Sequence, residues 1–243
     1  MTNGKAKILV LVEGSRLDAH VMRLLIDLYG ISEKHEVVSY DTNIYTLYGA
    51  MFKNGDPDSY DLLQLLKERE KDDGLKEIFD QDYSDILLVF DLDPQDPLYQ
   101  DFKIREMLEY FSESTDKGKL YINYPMIEAF YHMETIPDMN FNSYTVELGD
   151  LKKKLYKDRV HQLTGYNKLD NIAITKEQCD LIIKSNINKA GKIVGINECE
   201  VVPDGLAILE EQLKTLKMSE FVYVLSTCPF YIVDYNPSFI FRN

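Results

Sequence analysis

Cysteine is scarce: the 243 residues contain three, Cys179, Cys199 and Cys228. Their odd number and wide spacing exclude a disulfide framework and show no metal-binding pattern. The simple expectation is a cytoplasmic protein with free thiols. No apolar run approaches the ~20 residues that a membrane helix needs, so no membrane partner is expected. The opening residues, Met1 to Lys5, lack the apolar region of a signal peptide. Positive charge is also in short supply, with 27 Lys and Arg against 41 Asp and Glu, a formal net charge of −14. Non-specific binding of long nucleic acids rests on cations that neutralise phosphates, so bulk duplex is a poor expected substrate. The four histidines, His20, His35, His132 and His161, include no pair with zinc-like spacing. Internal repeats, low-complexity tracts and Pro-Gly-Ser-rich linkers are absent. With 45% hydrophobic residues, the chain can bury a sizeable core.

What is present begins with an apolar run, Ile86 to Phe90, that ends in Asp91-Leu92-Asp93. Such a run reads as a buried strand of a parallel sheet, and the carboxyl ends of those strands are where open α/β sheets place ligands. Alternate strand residues share a side, so Asp91 and Asp93 are expected to converge. Two close carboxylates repel unless a cation lies between them, and Mg²⁺ suits an all-oxygen site. A second run, Ile8 to Val12, ends in Glu13-Gly14 and leads into a helical pattern over Arg16 to Tyr29. Glu13 is then expected at the same sheet edge, making a plausible site for a divalent metal.

These residues, in this order, resemble a Toprim domain, whose Glu follows its first strand and whose Asp-x-Asp follows its third. Glu36 to Tyr40 fits the intervening strand and Tyr60 to Lys71 an intervening helix. The stretch Leu120 to Phe130 contains Asn123, Pro125 and Glu128. It looks like the strand, Asn-x-Pro turn and Glu-bearing helix of RloB-like Toprim proteins, single-domain relatives of the OLD nucleases. The resemblance covers roughly residues 5 to 135. It implies an α/β fold with a Toprim-like (Rossmann-like) parallel sheet flanked by helices. It also implies Mg²⁺- or Mn²⁺-dependent phosphodiester hydrolysis, often in bacterial or phage defence. Asp91 and Asp93 would be metal ligands. Glu13 would be a further ligand or the general base, and Glu128 a fourth catalytic carboxylate.

The expected organisation is a Toprim-like domain over 1–135 and a mainly helical extension over 136–243 that packs on it. Helices are expected over Phe102 to Phe111, Val146 to Leu163, Thr175 to Ala190 and Asp204 to Leu216. Thr175 and Gln178 fit a capping box. A fourth strand is expected at Lys119 to Ile122, with Pro125 in the first turn of the next helix. Phe221 to Leu225 and Tyr231 to Val233 read as short strands or irregular chain.

Each candidate has a plainer reading beside it. Asp91 and Asp93 can end a strand and begin a turn, and Asp96, between Pro94 and Pro97, suits a turn as well as a metal. Asn123 before Tyr-Pro fits a structural role, Ser15 a helix cap, and His132 a boundary residue. Lys152, Lys153, Lys154, Lys157 and Arg159 cluster on one expected helix. They read as a solvated face or as a basic patch for a small nucleotide or a nucleic acid presented by a protein partner. Two other classes stay open. One is a haloacid-dehalogenase-like phosphatase with Asp91 as nucleophile, although Gln95 stands where that motif has Thr or Val. The other is a non-enzymatic module that binds metal or a partner at its acidic edge.

Overall fold

The computed structural model describes residues 7–163, 174–197 and 199–241; Met1 to Lys5 lie outside them. Four strands form one sheet in the order β2-β1-β3-β4. They are β1 (Ile8–Val12), β2 (His35–Ser39), β3 (Asp85–Asp91) and β4 (Lys119–Asn123). All three pairings are parallel. The sequence dictates this through continuous apolar runs: every residue of β1 is buried, as is every residue of β3 except Asp85. Strands covered on both faces lack the polar alternation of a half-wet sheet.

The helices are α1 (Leu17–Leu28), α2 (Ile44–Met51), α3 (Leu62–Arg69), α4 (Asp73–Phe79) and α5 (Asp101–Tyr110). Crossovers between parallel strands are right-handed, which puts α1 on one face of the sheet and α2 to α5 on the other. The chain continues with β5 (Thr145–Glu147), α6 (Leu148–Lys152), α7 (Leu155–Leu163), α8 (Lys176–Ile193), α9 (Gly205–Ser219), β6 (Phe221–Tyr223) and α10 (Phe230–Tyr235). Strands β5 and β6 pair antiparallel. The apolar core includes β1, β3 and α1 together with α8, α9 and α10. Tyr29, the C-cap of α1, donates to Asp180 of α8 at 2.5 Å. His35 of β2 meets the Tyr231 hydroxyl of α10 at 2.5 Å. The α/β architecture with a helix-rich C-terminal part is therefore as the sequence indicates.

Several local expectations need correction. Tyr231 to Val233 lie in α10, not in a strand. Val146 to Leu163 is not one helix: β5 takes its start, and Lys153 and Lys154 break it, Lys154 with φ 60°. Glu128 sits on a five-residue 3-10 turn, Ile127–Tyr131, not on an α-helix, and Pro125 precedes that turn. The short helices α2 and α4 have no counterpart in the expected elements. The capping box at Thr175 and Gln178 is present. Among the described residues, no helix is long and apolar enough to cross a membrane.

Candidate functional site

Parallel pairing carries β1 and β3 out of the sheet side by side, with Val12 opposite Val89. The Glu13 N–H continues the ladder by donating to the Val89 carbonyl at 3.2 Å. Glu13 Oε2 in turn accepts from the Asp91 N–H at 3.2 Å. The two acids thus meet at the carboxyl edge of the sheet. Asp91 is the last residue of β3 and faces Asn123, the last residue of β4. Strand alternation does not deliver Asp93, because the strand has already ended. Asp93 takes φ 40°, a left-handed conformation that Asp tolerates better than most residues. Its N–H donates to the Pro125 carbonyl at 3.1 Å, and its Oδ1 accepts from Gln95 Nε2 at 2.9 Å.

A fifth carboxylate and a cation join them; Asp18 was not singled out from the sequence, and Lys157 was named only within the basic run. Asp18, in the first turn of α1, is buried and accepts backbone N–H groups, including that of Gly14. A Cβ on Gly14 would stand 2.7 Å from Asp18 Oδ2, so glycine is what lets the two approach. Lys157, from α7, places Nζ 3.2 Å from Glu128 Oε1. Spacing after a strand end cannot flag a helical Asp. Lys157 was hidden in a lysine run that reads as solvated.

The C-terminal part is fastened next to the site. Tyr124 and Leu225 exchange backbone hydrogen bonds of 2.8 Å in both directions. Asn123, fully buried, accepts at Oδ1 from Ser226 Oγ at 3.0 Å, Thr227 N at 3.2 Å and Cys228 N at 3.4 Å. Its Nδ2 donates to Asp91 Oδ1 at 3.4 Å. Asn123 therefore holds the C-terminal loop with one end and Asp91 with the other.

Electrostatics follow from burial plus crowding. Glu13 is pushed up to about 8, first by burial, then by Asp93 and Asp18, with Lys157 pulling the other way. Asp18 rises to about 6, mainly by burial, with Glu128 adding to it. Asp91 is raised well above the usual carboxylate range by burial and by the charges of Asp18, Glu13, Asp93 and Glu128. Asp93 is raised by burial, against hydrogen bonding from Gln95 and the charge of Lys157. Burial works against the Lys157 ammonium, but Glu128, Asp91 and Asp93 more than offset it, so its pKa goes up. Carboxylates held this way take up protons or a cation.

Among the described residues, no group of three or more His, Cys, Asp and Glu side chains is set to hold a metal ion. The donor set still fits Mg²⁺, which binds through one or two carboxylates and keeps several waters. Among the described residues, two buried oxygens here have no hydrogen-bond partner: Glu128 Oε2 and Gln95 Oε1. Buried acceptors are rarely left so, and both belong to residues touching the acidic group.

The remaining candidates have other duties. Asp96 accepts from Leu98 N at 2.7 Å and Asn43 Nδ2 at 2.9 Å, tying its turn to the α2 N-cap. His132 contacts the Tyr156 hydroxyl at 3.3 Å and stacks on Tyr144. Ser15 is exposed, and α1 is capped by Arg16 with no side-chain bond, so Ser15 is not its cap. Of the basic run, Arg159 pairs with Asp150 and only Lys157 reaches Glu128. The chain matches no protein-family model, no curated protein and no solved structure.

Proposed function

We propose that the protein is a divalent-metal-dependent phosphodiester hydrolase of Toprim type, acting on short or partner-presented nucleic acid or on a small nucleotide, with a role in bacterial or phage defence. The observation that carries this reading is a group of carboxylates at one sheet edge, Asp18, Asp91 and Glu128 buried and Glu13 and Asp93 half-buried. Asp18 and Glu13 raise the proton affinity of Asp91; Asp93 and Asp18 raise that of Glu13. Among the described residues, one buried Glu128 oxygen is left without a partner. Asp91 and Asp93 would hold Mg²⁺ or Mn²⁺, with Glu13 as a further ligand or the general base and Asp18 and Glu128 beside them. Bound there, the cation would polarise a phosphate and acidify a water.

The chain's own groups divide the rest of the work. A positive charge beside Glu13 would lower its raised pKa and favour the carboxylate form that a general base needs. Asn123 fixes the Asp91 carboxyl through its amide. Lys157 stays charged at the rim of the acidic group, where an ammonium can meet a phosphate oxygen. The overall charge of −14 repels long polyanions, which favours small or presented substrates over long duplex.

The test is cleavage of short single-stranded RNA and DNA oligomers and of cyclic dinucleotides, with Mg²⁺ or Mn²⁺ and with chelator. Metal-dependent turnover that disappears in Asp91→Asn and drops far more than metal binding in Glu13→Gln supports the reading. Turnover untouched by both substitutions refutes it. Metal binding without cleavage of any substrate returns the protein to the class of metal- or partner-binding modules.

A further inference from the structure

Away from the carboxylates, the open edge of β4 borders a cavity of about 640 Å³. Its walls come from β4, the end of α5, the start of α9 and the chain around Thr227 to Asp234. The size lies within the roughly 300–1,000 Å³ of small-molecule sites. The interior is apolar: Phe111, Leu120, Ile122, Tyr124, Ile208 and Phe230 face it and are themselves buried.

Charge at the rim has one sign to spare. The charged lining residues are Glu109, Asp204, Asp234 and Lys119. Lys119 is already taken, with Nζ 2.6 Å from Asp234 Oδ2, which the Tyr121 hydroxyl also reaches at 2.7 Å. Glu109, among the described residues, enters no ion pair. The start of α9 offers no anion site, because Asp204 occupies it: its Oδ1 accepts from the Ala207 N–H at 2.8 Å. Among the described residues, a phosphate or carboxylate would thus meet two carboxylates and no free cation. An ammonium on an apolar body would meet the reverse.

We propose that this cavity binds a cationic apolar molecule, an aryl- or alkyl-ammonium, with its body against Phe111, Tyr124 and Phe230 and its nitrogen between Glu109 and Asp204. The site is independent of the hydrolase reading. It does share a wall with the acidic group: Thr227 lines the cavity, while its N–H bonds Asn123 and its Oγ1 bonds the Ile122 carbonyl at 2.8 Å.

A matched series tests it: 4-phenylbutylamine, 4-phenylbutanol and 4-phenylbutyrate share one apolar body and differ in charge. Isothermal titration of the full chain should give the amine a Kd about tenfold or more below that of the butyrate, worth about 1.4 kcal/mol, with the alcohol between. Glu109→Gln with Asp204→Asn, which keeps a capping side chain, should remove that preference while leaving the melting temperature near the parent value. Leu206→Trp, which adds bulk to a lining residue, should abolish binding of all three. Equal binding of the three compounds would mark a plain apolar groove and overturn the proposal. So would preference for the butyrate, no binding of any compound at millimolar concentrations, or a preference that survives the double substitution.

Discussion

Replacing Asn123 by alanine tests how the C-terminal part is fastened to the sheet edge. The side chain is fully buried, and its Oδ1 accepts from Ser226 Oγ, Thr227 N and Cys228 N. Alanine leaves two backbone N–H groups without an acceptor. The Ser226 hydroxyl keeps the Cys228 sulfur at 3.3 Å, so it adds little. An orphaned buried donor costs roughly 1–3 kcal/mol. The 3.4 Å bond to Cys228 belongs at the low end of that range. The sum is about 3 kcal/mol, a large part of the ~5–15 kcal/mol that holds a typical native protein together. Urea unfolding followed by circular dichroism should show the midpoint falling by about 1 M, taking an m-value of roughly 3 kcal/mol/M. Asn123→Asp supplies the control. It keeps an acceptor for both N–H groups but sets a carboxylate against Asp91. Its folded pKa is then raised, so its loss is absent in acid and grows as pH climbs through that pKa. The alanine loss does not change with pH in this way. An alanine variant within about 0.5 kcal/mol of the parent, as for ordinary surface changes, would refute the reasoning. The same pH profile in both variants would refute it too.

Mg²⁺ or Mn²⁺ should raise the melting temperature, since a ligand at 100 times its Kd adds about 2.7 kcal/mol; Asp91→Asn with Asp93→Asn should remove the rise, and an unchanged rise would place the metal elsewhere. Gly14→Ala should destabilise by about 1–3 kcal/mol through its clash with Asp18, and the loss should shrink when Asp18→Ala is added. Two purely additive effects would mean that the 2.7 Å approach is not the cause. His132 is lowered to about 4 by burial and by Lys189, so the fold holds it neutral. Its contribution is present above the unfolded value near 6.5 and is lost as pH falls from there through about 4, on the order of 3 kcal/mol in full. His132→Gln should flatten that part of the acid limb in melting scans, and an unaltered limb would assign it to other groups.

The parallel sheet was legible because central strands announce themselves as unbroken apolar runs, and β1 and β3 are such runs. Their acidic ends followed directly. Asp93 was found by an argument that does not hold in the fold: alternation stops with Asp91, and a left-handed turn does the work instead. Asp18 was missed because a single acid in an amphipathic helix has no periodic signature. Lys157 was named only within a run that reads as solvated, and its pairing with Glu128 has no local signal, since the two lie 29 residues apart. Tyr231 to Val233 are apolar in a run too short for period to separate strand from helix. The bonds from Asn123 to residues 226–228 span more than 100 positions, and nothing local encodes a contact at that distance.

That span orders events during synthesis. A chain emerging from its N-terminus carries all five carboxylates once Glu128 is made, and the four sheet strands are complete by Asn123. Lys157 arrives 29 residues after Glu128. Asn123, already pointed at Asp91, waits a further 103 residues for Ser226. During that interval the acidic edge exists without the loop that braces it, and crowded carboxylates then have metal or protons as their relief. The segment from Ser226 onward is therefore a latch on a centre whose charges are all in place once Lys157 is made.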